Sequence, residues 1–423
     1  MTSPSPKRDD RDGTAAENHL KAAAESAHRR TRERSDGRVF SNVLIAGGTG
    51  QSLELAIALA RSGARAFLLL EDASEAGRTA DILDRMIAGL PALEAGNRDL
   101  RERIAMGVWP AGSRMAFDLA IVTATGSEAT GVALKQIVPL LAPGTPVVTA
   151  SSEGLECLLR ETGRPVGAIS FAGPVHLAQL AEVLVPGTGA GTGAGTGAGV
   201  EAWNGAGTGC AFSLAAQLGL LAVESRSPFS LGDRLSVALW RATDSLLFDG
   251  AAPAEVDEVM EEFGFSAGPC EMQDLAGVDV GLAMRNSMKP AETTGIENEE
   301  TVPPFLARMV AEGRLGRKVS VGFYRYPGGG GKVEDPLIED LIREEAWFAR
   351  HTQNPPDADT IRNRLLSALS RECARLLDAG LALVDDIDLV SVHALGFPAC
   401  HGGLARFSEG GRAGTTSPGA VSG

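Results

Sequence analysis

Short apolar runs that stop at glycine or acidic residues, each followed by apolar residues at helical spacing, fill the first half of the chain. V-L-I-A-G-G-T-G (43–50) is one such run, and Leu53, Ala56, Ile57 and Ala60 then recur at the three- and four-residue steps of a single helix face. Further strand candidates are A-F-L-L-L (66–70), which ends at Glu71 and Asp72, then L-A-I-V (119–122), P-V-V-T-A (146–150) and L-A-V (221–223). Residues 168–183, A-I-S-F-A-G-P-V-H-L-A-Q-L-A-E-V, read as strand, turn and strand. Strands alternating with helices predict an α/β domain built on a parallel sheet with both faces covered.

Beyond about Ser225 the spacing turns helical, and the chain begins to repeat itself. Arg234-Leu235, Ala238-Leu239, Arg241, Leu246-Leu247 and Gly250 recur as Arg364-Leu365, Ala368-Leu369, Arg371, Leu376-Leu377 and Gly380. Val256-Asp257 and Gly264-Phe265 are answered by Ile387-Asp388 and Gly396-Phe397, so two related all-α units are expected to follow the sheet. The organisation read from the chain is a disordered tail over 1–40, the α/β domain over 41–224, a first helical domain over 225–326, a turn-rich connector over 327–358, a second helical repeat over 359–409 and a tail over 410–423. The Gly/Thr/Ala repeat within 186–199 has no side chain able to build a core, and it predicts a flexible loop inserted in the α/β domain.

Composition narrows the function classes. A length of 423 residues at 44% hydrophobic is enough for more than one core, and a net charge of −15 argues against a duplex-binding surface, so no nucleic acid partner is expected. The basic stretch H-R-R-T-R-E-R (28–34) is interleaved with acids and reads as part of the solvated tail. Five cysteines without a C-x-x-C pair and six histidines without ligand spacing predict reduced thiols in a cytoplasmic protein and no metal. No run approaches the roughly 20 apolar residues that span a bilayer, so no membrane partner is expected.

Four stretches of the helical half carry a specific likeness: V-D-E-V-M-E-E-F-G-F-S-A-G-P from Val256, D-L-A-G-V-D-V-G from Asp274, G-R-L-G-R-K-V-S-V-G-F-Y-R-Y from Gly313 and D-I-D-L-V-S-V-H-A-L-G-F-P from Asp386. In sequence and spacing they resemble the C-terminal part of L-3-hydroxyacyl-CoA dehydrogenases, above all the dehydrogenase part of multifunctional fatty-acid β-oxidation enzymes. The resemblance covers roughly residues 43–407. It implies a Rossmann domain for NAD, helical domains that close over an acyl-CoA, hydride transfer from the 3-hydroxyl carbon, and a homodimer.

Each family site is then matched to this chain. For the dinucleotide turn, one register puts Gly47, Thr49 and Ser52 at the three glycine positions, and the other puts Gly48, Gly50 and Leu53 there. Glu71, at the end of the second strand, matches the position that binds the adenosine ribose and favours NAD. The family's two glutamates and lysine after its next strand fall on Val122, Gly126 and Gly131, and Lys135 reads as a solvated helix residue. Its Asn-Thr-Ser-Ser stretch is represented by Ser151-Ser152-Glu153-Gly154, and Asp233 stands where a helix cap is expected near the family's Gly-Phe-x-x-Asn-Arg motif.

The catalytic motif His-Phe-Phe-Asn-Pro is matched by the strand-turn-strand stretch. Phe171 and Pro174 fix the register, so Ser170 stands at the catalytic histidine and Glu182 at the glutamate that holds it, with Glu201 as a rival. A serine hydroxyl has no pKa near neutrality and cannot replace an imidazole base. His176 is the nearby candidate for a substitute base. Two readings stay open: an NAD-dependent 3-hydroxyacyl-CoA dehydrogenase using Glu182, His176, Ser170 and Ser152, and an inactive relative that binds acyl-CoA, a dinucleotide or a partner enzyme.

Overall fold

A computed structural model of the chain describes residues 10–47, 50–70, 72–90, 97–108, 116–124, 127–150, 164–185, 198–288 and 302–415. They divide into two compact units, Ala22–Leu231 and the residues from Gly232 onward together with those before Ala22.

The first unit holds an eight-stranded sheet in the order β3-β2-β1-β4-β5-β6-β7-β8. The strands are β1 (Asn42–Ala46), β2 (Arg65–Leu69), β3 (Ile104–Gly107), β4 (Leu119–Val122), β5 (Val147–Thr149), β6 (Val166–Phe171), β7 (Leu180–Leu184) and β8 (Leu221–Ser225). All neighbouring pairs are parallel except β6 with β7. Alternation along β1 explains the two cores: Val43 and Ile45 pack with Leu55, Ile57 and Leu59 on one face, and Leu44 and Ala46 with Leu134 and Ile137 on the other. The predicted parallel sheet is therefore present, with its last two strands, β7 and β8, running opposite to the other six. The edge strand β3 escaped the sequence reading because only Ile104 of its four residues is buried, so no apolar run marks it.

Helix Asp10–Arg34 corrects the expected disordered tail over 1–40. Its sequence lacks a large apolar stripe, yet Ala16, Ala23, Ala27 and Thr31 are buried along it. Small side chains on a good helix former suffice once another surface supplies the packing. The Arg-rich end is tied down as well, with Arg34 paired to Glu224. Ala198 and Gly199, read as loop, open helix Ala198–Gln217, and the rest of the Gly/Thr/Ala repeat lies outside the described residues.

The second unit keeps the predicted repeat. Helices Leu231–Phe248 and Pro253–Phe263 correspond to Ala358–Asp378 and Val384–Leu395, and the equivalent Phe265 and Phe397 meet edge to face with ring centroids 5.4 Å apart. The connector over 327–358 contains helix Pro336–Phe348, which buries Ile338, Leu341, Ile342 and Ala346. Helix Leu404–Thr415 likewise runs into the expected C-terminal tail. No described helix is long and apolar enough to cross a membrane.

Two measurable consequences arise here. Ser320 is held left-handed (φ 63°) at the end of the turn Arg317–Val319, a conformation that crowds its Cβ. Ser320→Gly is expected to stabilise the protein by about 0.5–1 kcal/mol in denaturant unfolding, strain relief exceeding the added chain entropy.

Burial pushes Asp257 and Asp274 up to about 6, against the pull of their hydrogen-bond donors. Because this exceeds the ordinary carboxylate value of 3.8, the native state binds these protons more tightly, so their contribution is present at low pH and is lost as pH rises through 6. Asp36, Glu224 and Asp335, although desolvated, are held below the ordinary range by Ser213, by Arg226 and Arg34, and by Arg314 respectively, and their contribution is lost only on stronger acidification. Thermal unfolding across pH is therefore expected to show greatest stability between about pH 4 and 6. A midpoint that climbs steadily above pH 7 would contradict this.

Candidate active site

Strand order reverses between β1 and β4, the place in an open α/β sheet where ligands meet the carboxyl ends of the strands. Gly47 follows β1 at φ 127°, and a Cβ there would lie 2.4 Å from Thr123 Oγ1 and 2.9 Å from the Ala124 nitrogen, both just past β4. Only glycine fits that turn. Ser52, in helix Gly50–Arg61, is buried and bonds Thr123 Oγ1 at 2.7 Å while donating to the Gly47 carbonyl. It thus closes the turn rather than offering its hydroxyl to a phosphate.

These contacts favour the register with Gly47 first and Ser52 third, since Gly50 begins the helix with open space around its Cα and Leu53 packs in the core. Thr123 is the residue that the sequence reading missed, because nothing local marks a hydroxyl arriving from a strand about 75 residues later. Gly48, Thr49, Glu71, Gly126 and Ser152 lie outside the described residues. Val122 is core, Gly131 is buried and Lys135 is exposed.

The second cluster lies on the antiparallel pair β6 and β7. Ser170 on β6 stands directly opposite Glu182 on β7 in the antiparallel register, which puts both side chains on one face, with Cβ atoms about 5 Å apart. Glu182 is 3% exposed, and its Oε2 accepts the backbone N–H of Leu231 at 2.5 Å. The Ser170 hydroxyl is half-buried and makes no hydrogen bond among the described residues. Glu201 falls in helix Ala198–Gln217, and the strand register brings Glu182 to Ser170.

His176 sits in the turn between β6 and β7. That turn is clamped to helix Gly50–Arg61, with the Val175 N–H donating to Glu54 at 3.0 Å and Arg61 donating to the His176 carbonyl at 3.0 Å. The imidazole Nδ1 is buried with no hydrogen-bond partner, and the ring makes no bond to Glu182. Neither clamp residue was singled out from the sequence. Asp233 lies in the first turn of helix Leu231–Phe248.

Residues 231–326 match the family model described as 3-hydroxyacyl-CoA dehydrogenase, C-terminal domain. That segment carries the C-terminal domain of the 3-hydroxyacyl-CoA dehydrogenase family. Among curated relatives, a peroxisomal bifunctional enzyme of Danio rerio is 30% identical over 61% of this chain and 36% of its own length. A fatty acid oxidation complex subunit alpha of Acinetobacter baumannii is 29% identical over 56% of this chain and 32% of its own. The chain thus spans about a third of the length of these relatives. Among solved structures, 3-hydroxybutyryl-CoA dehydrogenase of Escherichia coli K12 has the same fold at TM-score 0.63 and 16% identity, covering 90% of this chain and 96% of that one. The dehydrogenase part of multifunctional enzyme 1 from C. elegans follows at TM-score 0.53 and 19% identity, covering 85% and 78%.

The Rossmann-like sheet and the helical repeats are both present, and the position facing the buried Glu182 carries the hydroxyl of Ser170.

Proposed function

We propose that this protein is an NAD-dependent 3-hydroxyacyl-CoA dehydrogenase of fatty-acid oxidation whose proton-transfer position has been weakened. The observation that carries the reading is the pairing of Ser170 with Glu182 across the antiparallel strands β6 and β7. Gly47 and the start of helix Gly50–Arg61 would receive a pyrophosphate, because a helix N-terminus offers unpaired backbone N–H groups to an anion beside the turn that Gly47 makes. Gly48, Thr49 and Gly50 would line that turn, and Glu71 would take the ribose. NAD, when bound, supplies the hydride acceptor.

Oxidation of a 3-hydroxyl also requires an acceptor for its proton. Ser170 can hydrogen-bond a substrate oxygen but cannot hold that proton at neutral pH, and Glu182 is buried against the Leu231 N–H. His176 is the remaining titratable group in this segment, and it would serve only if its turn leaves the Glu54 and Arg61 clamps. Ser152 would contact the substrate. The reading places the protein in the cytoplasm, with a homodimer as the assembly that the resemblance implies.

A second reading is favoured by Glu182 itself, whose carboxylate is engaged in holding Leu231. It is a relative that binds acyl-CoA, a dinucleotide or a partner enzyme without turnover. NADH consumption with acetoacetyl-CoA separates the two. Turnover that disappears in His176→Ala supports the first reading with a substitute base. No turnover, together with a thermal shift on adding NADH or acetoacetyl-CoA, supports the second. Neither turnover nor shift would overturn both.

A further inference from the structure

The two helical repeats close a buried aspartate in the same manner, up to its last partner. In the first repeat Asp257 accepts the N–H groups of Cys270 at 2.7 Å and Glu271 at 2.9 Å, at the start of helix Pro269–Ala276, and Tyr324 Oη donates to it at 2.9 Å. In the second, Asp388 Oδ1 accepts the N–H groups of Ala405 at 2.7 Å and Arg406 at 3.2 Å, at the start of helix Leu404–Thr415. Gly268 and Gly403 hold equal places, since an added Cβ would lie 2.2 Å from Asp257 Cγ and 2.4 Å from Asp388 Oδ1.

The third partner differs. The chain has two tyrosines, and both serve the first repeat, Tyr324 on Asp257 and Tyr326 on Asp274. In the second repeat His19 takes the place, its Nε2 2.8 Å from Asp388 Oδ2 and arriving from 369 residues earlier in the chain. Asp388 is fully buried, and a buried carboxylate oxygen without a donor is strongly disfavoured.

We propose that residues 10–21 form a docked strap, latched by His19 on Asp388, that holds closed the start of helix Leu404–Thr415. Ala16 is the one residue buried among those described from 13 to 21, and it packs beside Gly402, whose added Cβ would reach the Ala16 Cα at 3.6 Å. Segments with so little buried surface open locally at low free-energy cost, so the latch sets whether the strap stays down. Its release leaves at Asp388 a socket for a small N–H donor or cation, such as an imidazole.

Amide hydrogen exchange at single-residue resolution on the full chain tests the latch, with the first repeat as internal reference. His19→Ala is expected to speed exchange at Ala405 and Arg406 at least about 10-fold while Cys270 and Glu271 stay unchanged. His19→Gln, which keeps a donor, is expected to retain most of the protection. Added imidazole is expected to restore protection to His19→Ala but not to His19→Ala/Asp388→Asn. Unchanged exchange in His19→Ala, or an equal rise in both repeats, overturns the proposal.

Discussion

Ser170→His is expected to raise the rate of acetoacetyl-CoA reduction by NADH about 10²- to 10⁴-fold over the wild type, the range that one positioned acid or base contributes. The expectation rests on register. Position 170 faces Glu182 directly, at a separation within reach of an imidazole hydrogen bond, and its half-burial leaves the outer side of the ring open toward a ligand. Glu182 would then orient the new base, and the pH profile of the variant should acquire a limb in the histidine range that the wild type lacks. If the variant binds NADH and acetoacetyl-CoA as the wild type does yet gains no rate, the strand pair is not the reacting site. The comparison is internal, so it does not depend on the absolute activity of either protein.

Gly322→Ala is expected to destabilise the helical unit by about 3–5 kcal/mol in denaturant unfolding, a large share of a typical total stability. An added Cβ would sit 1.9 Å from Asp274 Oδ1 and 2.7 Å from the Gly316 Cα, so either the carboxylate or the backbone must move. Asp274 cannot move without loss. It accepts the N–H groups of Phe323 at 2.8 Å and Tyr324 at 2.9 Å, and the Tyr326 hydroxyl at 3.0 Å, all in buried surroundings. Each donor left unpaired costs about 1–3 kcal/mol. Gly331→Ala, where the added methyl meets nothing within 4 Å, is the control and should fall within about 0.5 kcal/mol of the wild type. Coincident unfolding curves for the two variants would refute the packing around Asp274.

Several of these features were legible before any fold was known. The apolar run at 43–46 announced β1, the spacing of Leu53, Ala56, Ile57 and Ala60 announced the helix after it, and the echo of Val256-Asp257 in Ile387-Asp388 announced the paired helical units. Those signals are local periodicities, or motifs long enough to align. The match of Ser170 with Glu182 came from the family motif that the stretch around Phe171 and Pro174 resembles.

What remained hidden depends on partners far along the chain. Thr123 against Gly47, Glu54 and Arg61 on the His176 turn, and His19 on Asp388 join residues whose own neighbourhoods carry no mark of the contact. Helix Asp10–Arg34 was read as a tail because alanines and charges form no apolar stripe, and only a surface already folded turns Ala16, Ala23 and Ala27 into core. The sequence by itself therefore determined the elements and their kinship, since secondary structure answers to the periodicity of neighbouring residues. The tertiary structure alone decided how Glu182 is spent, because a carboxylate's role is set by whichever donors the fold brings to it.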